Sequence, residues 1–266
     1  GVTKAWMMIM LIIAVIMISV GIYHYFMLPN PKGEADKEPV SLKDSLHELL
    51  EVFLDFFTKR HIVYYICFII LYRFAEGFVM KIVPLFLKAS RAEQGLGLSE
   101  QEIGLYYGTF GAAAFVLGSI LAGYYIAWRG LQKSLFSLAL VFNIPFVAYT
   151  FLALYQPESL WLIGGGIVME YFGYGFGFVG LTLFMMQQVA PGKHQMAHYA
   201  FASGIMNLGV MLPGSISGFI SDALGYKYFF VFTLVATIPA FLITYFVPFT
   251  YSDPVKTESE SGETVS

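Results

Sequence analysis

Charge is what this chain has least of. Of its 266 residues only 12% are Asp, Glu, Lys or Arg, while 58% are hydrophobic. A soluble domain carries about 25% charge, so the soluble classes are excluded. A mean hydropathy of +0.69 points the same way, to an all-α integral membrane protein. The net charge of -3 says nothing about nucleic acid, but the chain has no basic cluster of the kind such binding needs, so no nucleic acid partner is expected. Cysteine is reduced to Cys67. One thiol makes no internal disulfide, and inside an apolar span its expected place is that of a small buried hydrophobe. Enzyme signatures are missing as well. No H-E-x-x-H, G-x-S-x-G or G-x-x-x-x-G-K-[ST] occurs, so no intramembrane enzyme and no cofactor is expected. The glycines Gly164–Gly166 lie inside an apolar run and are no phosphate loop. His194 and His198 have the i, i+4 spacing of metal ligands, yet no acidic partner motif accompanies them, so no metal is expected. Neither end carries a lipidation motif.

What the chain does have is long apolar runs. The opening "GVTKAWMMIMLIIAVIMISVGIYHYFML" has one charge followed by about 24 apolar residues, too long for the apolar core of a secretory signal, about 7–15 residues. A spanning helix is expected there. The first residue is Gly1 rather than Met, and the expectation is a chain that begins partway through a longer protein. A span takes about 20 apolar residues. Seven candidates meet that length: Ala5–Leu28, His61–Leu87, Gln101–Trp128, Ser134–Tyr155, Leu160–Val189, Tyr199–Ser221 and Tyr226–Phe249.

Most connections are short. The exception runs from Pro29 to Arg60 and opens with polar "PNPKGEADKEP". It continues with Leu42, Leu46, Leu49, Leu50, Phe53, Leu54 and Phe57 at helical spacing, after a Ser41/Asp44 pair resembling a capping box. An amphipathic helix on the membrane face is expected, with a solvated linker helix as the alternative. The tail after Phe249 is polar and acidic, the composition of a disordered segment. Lys32, Lys37, Lys43, Lys59, Arg60, Arg129, Lys133, Lys193 and Lys256 fall on one side if the spans alternate; Lys4, Lys88, Arg91 and Lys227 fall on the other. The positive-inside rule makes the first side cytoplasmic, with the C-terminus on it.

The sequence repeats itself. "GYYIAWRGLQKSLF" from Gly123 and "GFISDALGYKYFF" from Gly218 share glycines seven apart, a following Lys and an aromatic-bearing apolar start. The offset is 95 residues (218 − 123). Spans two to four and five to seven are then copies, and an odd number of spans per copy inverts one against the other. Inverted three-span repeats are a transporter design, with the solute site between the repeats.

This pattern, a long connection followed by six spans in a 3+3 arrangement, resembles the C-terminal half of a major facilitator superfamily transporter. Gly218, Asp222, Gly225 and Lys227 match the family's loop motif G-x-x-x-D-x-x-G-x-K/R. The copy at Gly123 keeps Gly130 but has Ala127 at the acidic position. The closing stretch from Phe201 to Phe249 is similar to the AmpG-type muropeptide permease and acetyl-CoA transporter branch. The resemblance implies a twelve-helix protein. Residues 1–28 would then be the sixth helix, 29–60 a cytoplasmic connection, 61–249 the C-terminal bundle and 250–266 the tail. It also implies a bacterial inner-membrane location, a missing N-terminal half as partner, and uptake of an amino-sugar oligosaccharide with protons. A sodium-coupled sugar or organic-anion carrier of the same fold stays open. A seven-helix receptor is suggested by span count alone, and the last span from Tyr228 to Phe249 has no Lys for a retinal link.

Charges inside the spans are the candidate site. A charge at the bilayer centre costs several kcal/mol and so faces a partner or a wet cavity. At about 1.5 Å per residue, Arg73 lies about 16 Å and Glu76 about 21 Å from one surface, and Glu170 about 14 Å from the other. Spacing i, i+3 lets Arg73 and Glu76 pair. The offset carries Glu76 to position 171, beside Glu170, and the family places the first helix of each triplet on the central path. Arg73, Glu76 and Glu170 are therefore the candidates for proton coupling or solute binding, with a permanent structural pair as the alternative. Arg73 could instead clamp an anionic group of the solute. Lys81 is near enough to the surface to snorkel. Asn207, Tyr171 and Tyr174 are candidate solute contacts. Asn143, Phe172, Phe176, and the series Gly204, Gly209, Pro213, Gly214 and Gly218 read as packing.

Overall fold

A computed structural model describes residues 2–28 and 42–252. The chain divides into two units, Gly1–Glu48 and Leu49–Ser266. The polar stretch after Leu28, Ser41 of the expected capping box, and the acidic tail from residue 253 lie outside the described residues. Every regular element among the described residues is helical.

The first unit holds α1 (Val2–Met27), 26 residues long. At 1.5 Å per residue this is about 39 Å, enough to cross a hydrocarbon core of about 30 Å. The helix α2 (Leu42–Thr58) opens in the first unit and continues in the second. Within the second unit its Val52 and Phe56 are buried, while Leu49, Leu50, Phe53, Leu54 and Phe57 stay exposed. The apolar stripe expected from the sequence is present, but a neighbouring face does the docking. Phe56 packs against Phe201 and His198, each at 5.7 Å between ring centres, and His198 Nε2 lies 3.2 Å from the Val52 carbonyl oxygen.

The run expected as one span from His61 to Leu87 is broken. It forms α3 (Ile62–Tyr72) and α4 (Phe74–Lys88), separated by Arg73 at φ −103°, ψ 7°. The following helices are α5 (Glu100–Arg129), α6 (Leu131–Tyr155), α7 (Leu160–Val189), α8 (Gln195–Ala236) and α9 (Ile238–Phe246). Five continuous segments among the described residues are long and apolar enough to cross a membrane. Two facts separate this from the seven expected spans. Arg73 divides one span into pieces of 11 and 15 residues, and the last two run on as one helical segment of 52 residues, Gln195–Phe246.

That last segment nevertheless turns. Gly225 inside α8 has φ 69°, ψ 162°, a region essentially closed to residues with a Cβ. Before Gly225, α8 meets Ile70 at Gly209 and Gly77 at Val210 and Pro213, so it runs parallel to α3 and α4. After Gly225, Tyr226 and Phe230 pack on Phe86, and Phe232 packs on Phe78; the direction has reversed. The earlier repeat does the same at Gly130, φ 85°, ψ 152°, between α5 and α6. The two turns are 95 residues apart (225 − 130).

The pairings exchange under that offset. Tyr106 lies against Gly164, Gly111 against Tyr171 and Tyr125 against Phe176, so α5 lies parallel against α7. At their closest approach a Cβ on Gly118 would meet the Phe172 carbonyl, and one on Gly175 the Phe115 carbonyl. Gly166, Gly173, Gly177 and Gly180 abut Leu152, Pro145, Phe142 and Leu138 in turn, so α6 runs antiparallel to α7. Thus the second helix of each copy packs parallel to the first helix of the other. Glycine makes this possible by letting backbones touch, the small-residue packing of helices in lipid. Cys67, expected inside, is exposed; it sits on the face of α3 turned away from these partners.

The buried apolar residues form two clusters. One contains Tyr65, Phe68, Tyr72, Phe142 and Phe184. The other contains Ala75, Phe78, Phe86, Tyr149 and Phe230. The break at Arg73 falls where one gives way to the other, and the polar site lies at that level.

Candidate functional site

Glu76 stands in the first turn of α4, where the helix dipole favours an acid. The break before it leaves Arg73 free to fold back. Its Nε donates to Glu76 Oε2 and its Nη2 to Glu76 Oε1, both at 2.6 Å. This is a two-pronged ion pair, stronger and more directional than a point contact. Both residues are buried, at 5% and 4% exposure. Arg73 Nη2 also donates to the Tyr174 hydroxyl at 3.3 Å. The guanidinium lies 5.3 Å from the centre of the Phe178 ring and 5.8 Å from that of Tyr174, within range of attraction to the ring faces.

Glu170 is the third charge. It sits midway along α7 and is half-buried. Its Oε2 accepts a hydrogen bond from the Tyr149 hydroxyl at 3.3 Å. Glu76 and Glu170 line a common crevice with Tyr107, Tyr149, Tyr171 and Tyr174, floored by Val79, Met80 and Val83. Its volume is about 30 Å³, roughly the share of one water molecule in the liquid. Tyr107 reaches it from a π-helical turn, Gly104–Phe110; such turns recur at functional sites because they re-aim side chains. The Tyr107 and Tyr171 rings meet edge to face, 4.9 Å apart. The site therefore draws on four helices, and both three-span copies contribute an acid.

Of the residues expected from sequence, Arg73, Glu76, Glu170, Tyr171 and Tyr174 come together here. Lys81 and Asn207 do not. Lys81 is exposed beside Gly214, and Asn207 is exposed on α8. Tyr107 and Tyr149 were missed, since one more tyrosine in an aromatic-rich span carries no sequence signal. Asn143 is buried and its amide donates to the Ala139 carbonyl at 2.9 Å, within its own helix. Phe172 and Phe176 stack on each other at 5.9 Å. In the loop motif, Gly225 and Gly130 supply the turns, whereas Gly218 and Gly123 have nothing within reach of a Cβ. Asp222 opens onto a cleft of about 300 Å³ with Glu93, Gln94, Ser221 and Tyr226, and the Lys227 ammonium lies 5.8 Å from the Tyr228 ring centre. The motif's acid and base are not joined to each other.

Away from the crevice, a cation binds backbone carbonyls at each end of the bundle. Lys59 Nζ donates to the carbonyls of Val189, Ala190 and Pro191 at 2.7, 3.2 and 2.7 Å, capping the end of α7 where it relaxes into the π-helical turn Met185–Val189. Burial pulls the Lys59 ammonium below the ordinary lysine range, with Asp55 acting against it. Beside it, Gln188 accepts from the amides of Thr250 and Tyr251 and donates to the Tyr251 carbonyl. At the opposite end, Arg91 donates to the carbonyls of Gln156 and Pro157 at 2.8 and 2.9 Å.

Comparison with known proteins finds similarity to curated transporters. No family model matches the chain. A putative transporter AmpG 2 of Rickettsia prowazekii is 25% identical over 225 residues, covering 79% of this chain and 51% of that protein. An uncharacterized protein of Haemophilus influenzae is 23% identical over 220 residues, covering 79% and 49%. The anhydromuropeptide permease of Escherichia coli K12 is 22% identical over 189 residues, covering 71% and 37%. The chain spans about half the length of the curated relatives it matches, or less. The resemblance to the AmpG-like branch, read from the loop motif and the closing stretch, is borne out by these relatives.

Proposed function

We propose that the chain is one half of a secondary transporter in a bacterial inner membrane. It would take up a muropeptide-like amino-sugar solute with protons, by alternating access, with its C-terminus in the cytoplasm. The observation that carries this reading is the trio of buried Arg73 and Glu76 with half-buried Glu170 at the junction of the two inverted copies. Three charges in the middle of an apolar bundle are costly, and a fold does not need them to pack. A path for a polar solute does.

The chemistry follows from the lining. Carboxylates and phenols offer hydrogen bonds to hydroxyl and amide groups, and the tyrosine rings offer flat faces to a sugar. At about 30 Å³ the crevice as it stands holds a water-sized guest. A sugar enters only when its walls part, which is what alternation between two closed ends provides. The Lys59 and Arg91 ties are the contacts placed to hold those ends. Uptake of a labelled anhydromuropeptide into proteoliposomes holding this half joined to its complementary half, driven by an imposed pH gradient, tests the reading. Glu170→Gln and Glu76→Gln should each abolish accumulation, and unchanged uptake in both removes the site from the path.

A further inference from the structure

Two carboxylates and one guanidinium meet at the crevice, so the site as built is one positive charge short. Geometry decides which carboxylate is the odd one. Glu76 receives both prongs of Arg73 at 2.6 Å. Arg73 is held in turn by the Tyr174 hydroxyl and by the faces of Phe178 and Tyr174. Moving Arg73 to Glu170 would break two charge-assisted hydrogen bonds and strand Glu76, itself 4% exposed. Breaking a buried pair in this way costs several kcal/mol. Glu170 has a single neutral donor, the Tyr149 hydroxyl on Oε2. The other groups facing it are Glu76 from α4, Tyr107 from α5, and Tyr171 and Tyr174 from its own helix, none of them cationic.

We propose that Glu170 is a one-charge acceptor site, taking a single positive charge as a proton or as the ammonium tip of a bound solute, while Glu76 stays committed to Arg73. This deepens, and rests on, the reading of the crevice as part of the solute path. The size agrees, because a space of about 30 Å³ is on the scale of a small guest. Oε2 is engaged by Tyr149, so the incoming proton adds to Oε1. It comes from water and returns to water, and no other bond is made or broken. The Arg73–Glu76 pair then acts as a fixed neutral wall rather than a moving relay.

Infrared difference spectroscopy of the purified protein, stepped between acid and neutral pH, reads a protonated carboxyl by its C=O band and needs no transport. The band should appear in the wild type and in Arg73→Gln/Glu76→Gln, which removes the pair without changing the local net charge. It should be lost in Glu170→Gln. In Tyr149→Phe, which deletes one hydroxyl, the band should persist but shift to higher frequency as its C=O loses a donor. This variant keeps the test alive if Glu170→Gln does not fold. A band that survives Glu170→Gln, or that vanishes with the Arg73–Glu76 pair, overturns the assignment. So does a band that ignores Tyr149→Phe. Two sugars then separate the sources of charge. If charged glucosamine removes the band and neutral N-acetylglucosamine does not, the ammonium competes with the proton; if neither does, the proton is the sole guest. Should the band belong to Glu170 while Glu170→Gln leaves uptake intact, the acceptor site stands and the transport reading falls.

Discussion

The Arg73–Glu76 pair can be tested as an energetic unit. Arg73→Gln leaves Glu76 buried without its cation, and Glu76→Gln leaves the guanidinium without its anion. Each single change should cost about 3–5 kcal/mol, the usual cost of stranding one partner of a buried ion pair. At 5% and 4% exposure, neither group can turn to water without opening the helix packing. The double variant Arg73→Gln/Glu76→Gln strands no charge and keeps two amides able to bond each other. Its cost should be about 2 kcal/mol, the scale of a lost charge-assisted bond. Additive singles would give about 8 kcal/mol in the double variant, so the cycle should return a coupling of about 6 kcal/mol, well outside the error of such cycles. Reversible unfolding in mixed micelles, titrated with SDS and followed by tryptophan fluorescence, gives all four free energies. If the double variant loses as much as the singles summed, or if the singles each cost under about 1 kcal/mol, the pair is no unit and the fixed-wall argument fails.

The fold makes three further predictions. Gly130→Ala and Gly225→Ala should each cost about 1–3 kcal/mol, and similar amounts, because both glycines hold a conformation essentially closed to other residues; thermal unfolding of the two variants side by side checks it. Gly118→Ala should destabilise by about 1–3 kcal/mol through collision with the Phe172 carbonyl, while Gly123→Ala, with nothing within reach of its Cβ, should stay within about 0.5 kcal/mol in the same assay. Lys59→Met should loosen the end of α7, raising amide exchange across residues 189–198 by about tenfold or more; a hydrogen bond to a charged group contributes about 1.5–3 kcal/mol, and unchanged exchange would show that the three carbonyls need no cation.

Much of this was legible in the sequence. Scarcity of charge and length of apolar runs fixed the class of fold, because lipid demands both. The 95-residue offset found the paired turns at Gly130 and Gly225, since a turn that only glycine can make leaves a mark on the sequence. Spacing and depth brought Arg73, Glu76 and Glu170 to one level. The break at Arg73 was not legible: Tyr72, Arg73 and Phe74 are no helix breakers, and the interruption depends on where the guanidinium finds its partner. Tyr107 and Tyr149 were hidden among 18 tyrosines, and only the packing of four helices selects them. Lys81 was named for its face and nearness to the surface, and Asn207 for its depth and for the place the resemblance gives its helix. Both are exposed and stand apart from the crevice, and depth does not tell which way a helical residue faces. Lys59 counted as one basic residue of a polar connection, with nothing in the sequence to reveal the carbonyls of Val189, Ala190 and Pro191 130 residues or more away.

Uptake of an anhydromuropeptide by proteoliposomes holding the complete two-half transporter with Glu170→Gln, with and without a pH gradient, is the most direct test of the central claim. The account predicts that the gradient no longer drives accumulation, while exchange of labelled for unlabelled solute across the membrane continues. Gradient-driven accumulation at the wild-type level in that variant would contradict it.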